Sequence, residues 1–442
     1  VTLPNVRYVV DCGREKRRRY KASSGASSFA VDRISKASAD QRAGRAGRLG
    51  PGHSYRLYSS AAFENYFPKF APLQMLHTPM DPVLLLLAFL GVPRLDVFPW
   101  PTPPPSESIA AAIRRLRAIG AIEDDGSNTE GSRASAAVVR CTTLGYRLAA
   151  LPVAPRYARM LLAAISASAE LKAEHIIGHA CAIVAALSVG NLTCWESAQE
   201  IEGGAAGELE NELLRAQKEA QRRLDEATKK EAPKWSQLRD DAEGLLWLMG
   251  GYAWAARAGD QAADDFCQKN RINPRQMAEA HSLMQQLAEL LQRRLELASA
   301  GFLLELPLLP RPPKPRQAQL LRECIAEGLL DRVAIAFPDL GHRAYICADL
   351  GRERPVYIHT SSNAFRHRPH PSVMVFNEII STHKPFMRDC INIDPLHLAK
   401  RAAAGGCPLL NLGEFIPVPG PRYLPEQDKV LAFASPSYTP LS

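Results

Sequence analysis

Two proline-rich runs constrain this chain more than any other feature. Residues 98–108 read FPWPTPPPSES and residues 306–316 read LPLLPRPPKPR. Proline has no backbone N–H and a fixed φ, so neither run can sit inside a helix or a central strand. Compact units must end or turn at both places. The chain has 442 residues, enough for roughly three or four domains of ordinary size.

Hydrophobic spacing changes character at each connector. Residues 1–66 read as strand, basic turn, strand and helix. Val6, Tyr8, Val9 and Val10 make a buried strand. Residues 14–21 (REKRRRYK) are basic, residues 23–28 (SSGASS) are turn-like, and residues 28–34 alternate as a return strand. This pattern predicts a hairpin carrying Arg14, Lys16, Arg17, Arg18 and Arg19. A helix over 39–48 and a strand over 54–58 are expected next. After the first connector, Ile109, Ile113, Leu116 and Ile119 sit at helical spacing. A polar stretch (123–140) and a resumed pattern (141–151) then fit a small winged-helix unit. Residues 152–305 are helical in pattern, notably at 160–171, 176–187, 209–230, 242–257 and 276–300, which suggests a bundle. Beyond the second connector, a helix over 320–330 precedes strand-like runs at 333–337, 344–348, 356–358 and 373–380. Short strands with turns suggest a barrel such as an OB-fold. The tail, about 395–442, is Pro- and Gly-rich and is expected to wrap over the other units.

Net charge is +8, and it is concentrated. Residues 1–60 hold 13 Lys or Arg against 4 Asp or Glu. A basic end suggests a polyanionic partner, nucleic acid above all, although a solvated basic face reads the same way. Nine dispersed cysteines, none spaced CxxC, argue for buried thiols in a reducing compartment and against a zinc site. No apolar run approaches the length of a membrane span, so no membrane partner is expected. Opening on Val1 and a strand-like run, the chain reads as beginning inside a domain.

The chemistry-bearing string is QRAGRAGR, residues 41–48. On a helix, Gln41, Arg45 and Arg48 share one face. Gly44 and Gly47 keep the backbone slim, so a partner can come close. Two guanidiniums and an amide suit a polyphosphate, because arginine stays charged and can grip phosphate oxygens in pairs. Cations aimed at a γ-phosphate stabilise the charge that develops as it leaves. The bland alternative is a basic helix on an RNA or protein surface.

At these residues the chain resembles motif VI of the DEAH-box branch of superfamily 2 helicases, and the likeness extends over SKASADQRAGRAGRLGPGHSYRLYS, residues 35–59. CGREKRRRY (12–20), APRYARML (154–161), FCQKN (266–270) and YIHTSS (357–362) are similar to the subgroup of that family acting in ribosome biogenesis. The resemblance implies a multidomain α/β and α+β fold. Its parts would be part of a second RecA-like motor domain (1–66), a winged helix (67–151), a helical ratchet bundle (152–305), an OB-fold (318–400) and a tail (401–442). It implies ATP and Mg²⁺ as cofactors, with Gln41, Arg45 and Arg48 at the phosphates and Thr2 by the ribose. The implied activity is ATP-dependent 3'-5' RNA helicase work on pre-ribosomal RNA, displacing U3 small nucleolar RNA, in the nucleolus or nucleus. Small-subunit assembly proteins and an activating partner protein would accompany it. Pro4, Leu49 and Thr360 depart from the family pattern.

No G-x-x-x-x-G-K-[ST] string and no DExH strand end occur, so the phosphate cradle and the Mg²⁺ ligands are expected outside this chain. DEAT (225–228) follows two arginines on a charged helix and reads as solvated. His175 and His179, and separately His359, His367 and His370, read as core or RNA-facing histidines before metal ligands. The runner-up function is a non-catalytic RNA-binding assembly scaffold that kept the helicase fold.

Overall fold

The computed structural model describes residues 6–21, 26–48, 50–73, 78–124, 138–171, 176–190, 192, 238–294, 313–337, 344–347, 354–367, 369–381, 384–404, 410–415, 422–424, 429–431 and 434–438. For 18–21, 26–30, 170, 171, 294 and from 410 onward it describes the backbone alone.

Strand β1 (Tyr8–Asp11) pairs in parallel with β4 (His53–Arg56), Tyr8 opposite His53 and Asp11 opposite Arg56. Between them run β2 (Arg14–Lys21), β3 (Ala26–Arg33) and helix α1 (Lys36–Ala43); α2 (Ser60–Tyr66) follows. Strands β2 and β3 form the expected hairpin, antiparallel, with Arg14 opposite Arg33 and Lys21 opposite Ala26. Ile34, Ala39 and Phe67, with Tyr58 and Phe63 against them, make a small core beneath α1.

Helices α3 (Asp81–Phe89) and α4 (Ser106–Ala118), a two-stranded ribbon of β5 (Ile122–Asp124) and β6 (Val139–Cys141), and α5 (Thr143–Ala149) come next. Asp81 and Arg115 join α3 to α4 through a buried fork-on-fork pair, Nε–Oδ1 2.6 Å and Nη2–Oδ2 2.8 Å. The bundle follows: α6 (Pro155–Leu171), α7 (Ile176–Val189), α8 (Asp241–Arg257), α9 (Asp260–Lys269) and α10 (Pro274–Arg294). In α7 every residue from Ile176 to Leu187 is buried. An all-round apolar helix must lie in the centre of a bundle, and α7 does so, against α6, α8 and α10. The helix expected over 209–230 and the DEAT string lie outside the described residues, as does His175.

Helix α11 (Pro315–Gly328) leads into β7 (Val333–Ala336), β8 (Ala344–Cys347), β9 (Val356–Ile358), α12 (Asn363–Arg366), β10 (Val373–Val375), β11 (Glu378–Ser381), β12 (Pro385–Arg388), β13 (Ile391–Asn392) and α13 (Pro395–Ala404). The run 373–380, expected as one strand, is two. Phe376 and Asn377 break it, donating to Arg332 O and Arg388 O, and β10 and β11 then pair with different neighbours. The tail is less irregular than its composition suggested. It continues α13 and adds β14 (Leu410–Phe415), β15 (Arg422–Leu424), β16 (Lys429–Leu431) and β17 (Ala434–Tyr438), paired two by two.

One sheet crosses the expected domain boundary. Its order is β13-β10-β7-β8-β9-β12-β11-β3-β2. The basic hairpin completes the edge of the C-terminal sheet through parallel pairing of β3 with β11, Ile379 opposite Ala26 and Ile380 opposite Ser27. Ion pairs fasten the same unit to the bundle: Arg156–Asp331 at 3.2 Å, Arg159–Glu327 at 2.7 Å, and Arg322 to Asp240 at 2.6 Å and to Glu243. Next to Asp240, Asp241 accepts from Ser362 Oγ and from the Asn363 and Cys390 amides, each at 2.7 Å. Burial, with Asp389 adding, pushes its carboxyl up to about 7 against those three donors.

Asp240 has no exposed side-chain surface, so removing its cation strands a buried charge. We expect Arg322→Ala to cost about 3–5 kcal/mol in urea unfolding. Arg322→Lys recovers only part of it, because one ammonium lacks the planar fork that reaches both carboxylates.

Candidate functional site

The motif is shaped by where its helix ends. Ser35 caps α1, its hydroxyl accepting from the Ser38 amide at 3.1 Å. The i→i−4 bonds last to Gly44 N–Asp40 O (2.9 Å), then tighten to Arg45 N–Arg42 O and Ala46 N–Ala43 O, both 3.1 Å. The helix expected over 39–48 is therefore Lys36–Ala43 followed by overwound turns. Two glycines weaken helix propagation and the last turn tightens, as helix ends commonly do. Gln41, Arg45 and Arg48 do not lie on one continuous helix. All three are exposed nonetheless, whereas Ala39 and Ala46 are buried.

Arg42 points inward. Its Nη1 donates to Asp11 Oδ1 at 2.9 Å and to Arg14 O at 3.2 Å. Asp11 is buried and accepts two more bonds, from the Gly13 amide (2.9 Å) and the Tyr58 hydroxyl (3.0 Å). Burial pushes this carboxyl up, but the Gly13, Arg42 and Tyr58 donors outweigh it, and the net direction is down. Four segments converge there: β1, the root of the hairpin, α1 and the chain after β4. Gly13 adopts φ +70 beneath Tyr58, and a Cβ on Gly52 would lie 2.2 Å from Ala46 O, so neither position admits a side chain without rearrangement. Arg56 pairs with Asp40 (2.7 Å) and lies over the Phe63 ring at 4.6 Å.

Strand alternation divides the hairpin cations. Arg14 and Lys16 take one face and Arg17 the other. Arg14 and Lys16 are exposed. Arg17 is half-buried and pairs with Glu15; Arg18 and Arg19 are described as backbone positions only. Thr2 lies outside the described residues. Among the described residues, no group of three His, Cys, Asp or Glu side chains is placed to hold a metal, and no helix is long and apolar enough to cross a membrane. His359 instead shares its Nδ1 with Ser361 Oγ at 2.7 Å.

Strands β1 and β4 expose Tyr8, Val10 and Tyr55, and Leu57 just after β4 is exposed too. Parallel strands are ordinarily covered on both faces, so this pair has the character of an interior sheet offered to a further layer.

Comparison with known proteins bears on this geometry. Residues 321–404 match the oligonucleotide/oligosaccharide-binding (OB)-fold family, and residues 154–244 match the helicase associated domain (HA2), ratchet-like. Among curated proteins, the chain is 32% identical to the ATP-dependent RNA helicase DEAH13 of Arabidopsis thaliana, over 100% of this chain and 35% of the relative. It is 32% identical to the probable ATP-dependent RNA helicase DHX37 of Homo sapiens (98% and 35%) and 31% identical to the probable ATP-dependent RNA helicase DHR1 of Saccharomyces cerevisiae (77% and 26%). The chain belongs to the DEAH-box RNA helicase family. It corresponds to that family's C-terminal part and spans about a third of the length of the first two of these relatives. Within the helicase motif, the residue that sequence reasoning missed is Arg42. It stands inside QRAGRAGR like its neighbours, and only Asp11, 31 residues earlier, reveals that it holds the motif and does not face outward.

Asp11's pKa is depressed in the fold, so its contribution to stability is complete above the ordinary carboxylate range and disappears as pH falls through the folded value. Asp11→Asn should cost about 3 kcal/mol at pH 7, since three donors lose their anion. Its melting temperature should also fall less than the parent's between about pH 5 and pH 3. Equal acid sensitivity in both proteins would remove Asp11 as a source of the pH dependence.

Proposed function

We propose that this chain is the responding half of an ATP-driven RNA motor. The observation that carries the reading is the motif VI turn: Gln41, Arg45 and Arg48 stand exposed on a segment pinned from behind by Arg42 and Asp11. Such a rigid, outward-facing pair of guanidiniums suits a γ-phosphate presented by an opposing domain, with Gln41 contributing a hydrogen bond and Thr2 lying by the ribose. The phosphate cradle and the Mg²⁺ ligands would come from that opposing domain. When Mg²⁺-ATP is bound, it would supply the phosphoryl group and a stronger grip on the closed state. Residues 1–66 act as part of a second RecA-like domain. Residues 67–151 are a winged helix, whose helix–helix–ribbon–helix order supports the assignment.

The RNA contact runs along the hairpin, where Arg14 and Lys16 meet phosphates, with Arg17, Arg18 and Arg19 beside them. Binding of this kind is salt-sensitive and indifferent to sequence. The names of the relatives support ATP-dependent RNA helicase activity, and the likeness to the DEAH-box family implies the 3'-5' type. The subgroup likeness supports a role on pre-ribosomal RNA, displacing U3 small nucleolar RNA in the nucleolus, with small-subunit assembly proteins and an activating partner.

Two measurements test this. In a motor with both nucleotide half-sites, Arg45→Ala or Arg48→Ala should lower RNA-stimulated ATP turnover by about 10³-fold or more, as arginine-finger losses do, while RNA binding stays. Unchanged turnover in both variants would favour a non-catalytic scaffold. Separately, Lys16→Glu should weaken binding to all single strands alike and reduce the salt slope by about one; an unaltered slope removes Lys16 from the phosphate contacts.

A further inference from the structure

A cavity of about 450 Å³ lies where three units meet: the start of α3 with the end of α4, the start of α6 with the end of α7, and the barrel at 331–332, 377–378 and 389. Its size falls within the range of small-molecule sites, about 300–1,000 Å³. No described residue of 1–66 lines it, so the motif VI turn and the hairpin take no part in it.

Charge is divided between its walls. On one wall stand Arg115, Arg156 and Arg332 with Asp81 and Asp331. Arg115 is engaged with Asp81 through both oxygens. Arg156 gives its Nη2 to Asp331 at 3.2 Å, and Arg332 Nε lies 3.8 Å from the same carboxylate. Burial raises the Asp331 carboxyl, but Arg156, Arg332 and Arg115 outweigh it and hold it below the ordinary carboxylate range. Three guanidiniums facing two carboxylates leave this wall with an excess positive charge. Two donors are left over as well. Arg156 Nη1 and Ser188 Oγ are buried and have no hydrogen-bond partner among the described residues. A buried cationic donor with no acceptor is destabilising, so the position calls for an anionic oxygen.

The wall formed by 377–378 and 389 is acidic. Glu378 is matched by Arg388 at 3.5 Å. Asp389 makes no ion pair among the described residues, and its carboxylate accepts one bond, from Asn377 Nδ2 at 3.1 Å. Its backbone is left-handed, φ +52, a conformation in which glycine is at ease and a carboxylate is retained for some other reason. Asn377 joins the two walls, because its carbonyl accepts from Arg332 while its amide reaches Asp389. One small molecule can therefore touch both charges. The remaining lining includes the apolar Ile119, Leu187 and Val189.

We propose that this cavity binds a free apolar α-amino acid, its carboxylate at Arg156 Nη1 and Ser188 Oγ, its ammonium at Asp389, and its side chain against Ile119, Leu187 and Val189. A zwitterion satisfies both walls at once, which neither a simple anion nor a simple cation does. The site is independent of the nucleotide and RNA contacts proposed above. A molecule held there touches the α3–α4 unit, the bundle and the barrel together, and so stabilises their assembled arrangement by mass action.

The test titrates L-leucine, L-methionine and L-valine separately into the intact chain, reading heat of binding and melting temperature. At least one should bind saturably and raise the melting temperature with its concentration. The matching acid without the ammonium, and the matching amine without the carboxylate, should each bind about tenfold more weakly or less. Asp389→Asn keeps a residue that tolerates the left-handed backbone, and Ser188→Ala removes an unpartnered hydroxyl. Both should fold as the parent does, and each should weaken binding about tenfold. Should Asp389→Asn melt early, Asp389→Gly takes its place, since glycine accepts that φ without strain. The proposal is overturned if none of the three amino acids binds, if either half-molecule binds as tightly as the amino acid, or if folded variants at both positions bind normally.

Discussion

A single buried carboxylate organises the part of this molecule that carries the motif. Asp11 collects donors from the hairpin root, the motif helix and the chain after β4. A buried anion is tolerable only when such donors are fixed around it, and fixing them also fixes the segments they belong to. The exposed arginines inherit their position from an inward one. Arg42 and Asp11 thereby hold the exposed arginines in place in advance of any partner.

The second constraint is the chain's distribution over one large core and one shared sheet. The core that begins at Met80, just before α3, continues through the bundle into α11, β7, β10 and α13. Ion pairs from α6 and α8 to α11 and its following turn reinforce it. The units that sequence separated at residue 305 therefore meet through a continuous apolar contact with a charged margin. Burial at this scale, with five of the cysteines inside it or in the barrel, leaves those thiols without water; Cys181 and Cys324 are pushed up to about 12, where they are poor nucleophiles.

Much of this was legible in the residues. Helical periodicity located α7 and α8 to within a residue or two of their ends, because an apolar repeat over a dozen positions has no other explanation. The hairpin was legible from a basic run, a Ser/Gly turn and an alternating return. What was not legible depended on partners far away in sequence. Helical spacing was also read too far, through Arg48, although Gly44 and Gly47 weaken propagation beyond Ala43. The break at Phe376 and Asn377 depends on backbone bonds to Arg332 and Arg388, which no local pattern encodes. Arg42 could not be told from Arg45 by composition.

The pairing of β3 with β11 has a consequence for how the molecule can be taken apart. Glu378–Ser381 has β12 on one side and the hairpin on the other. A cut that removes residues 1–66 would leave that strand with a bare row of amide and carbonyl groups, including the apolar Ile379 and Ile380. Such an edge recruits another strand from wherever one is available. The barrel and the hairpin are thus a single unit for biochemistry, and the point at which the chain divides by function is not a point at which it divides by folding.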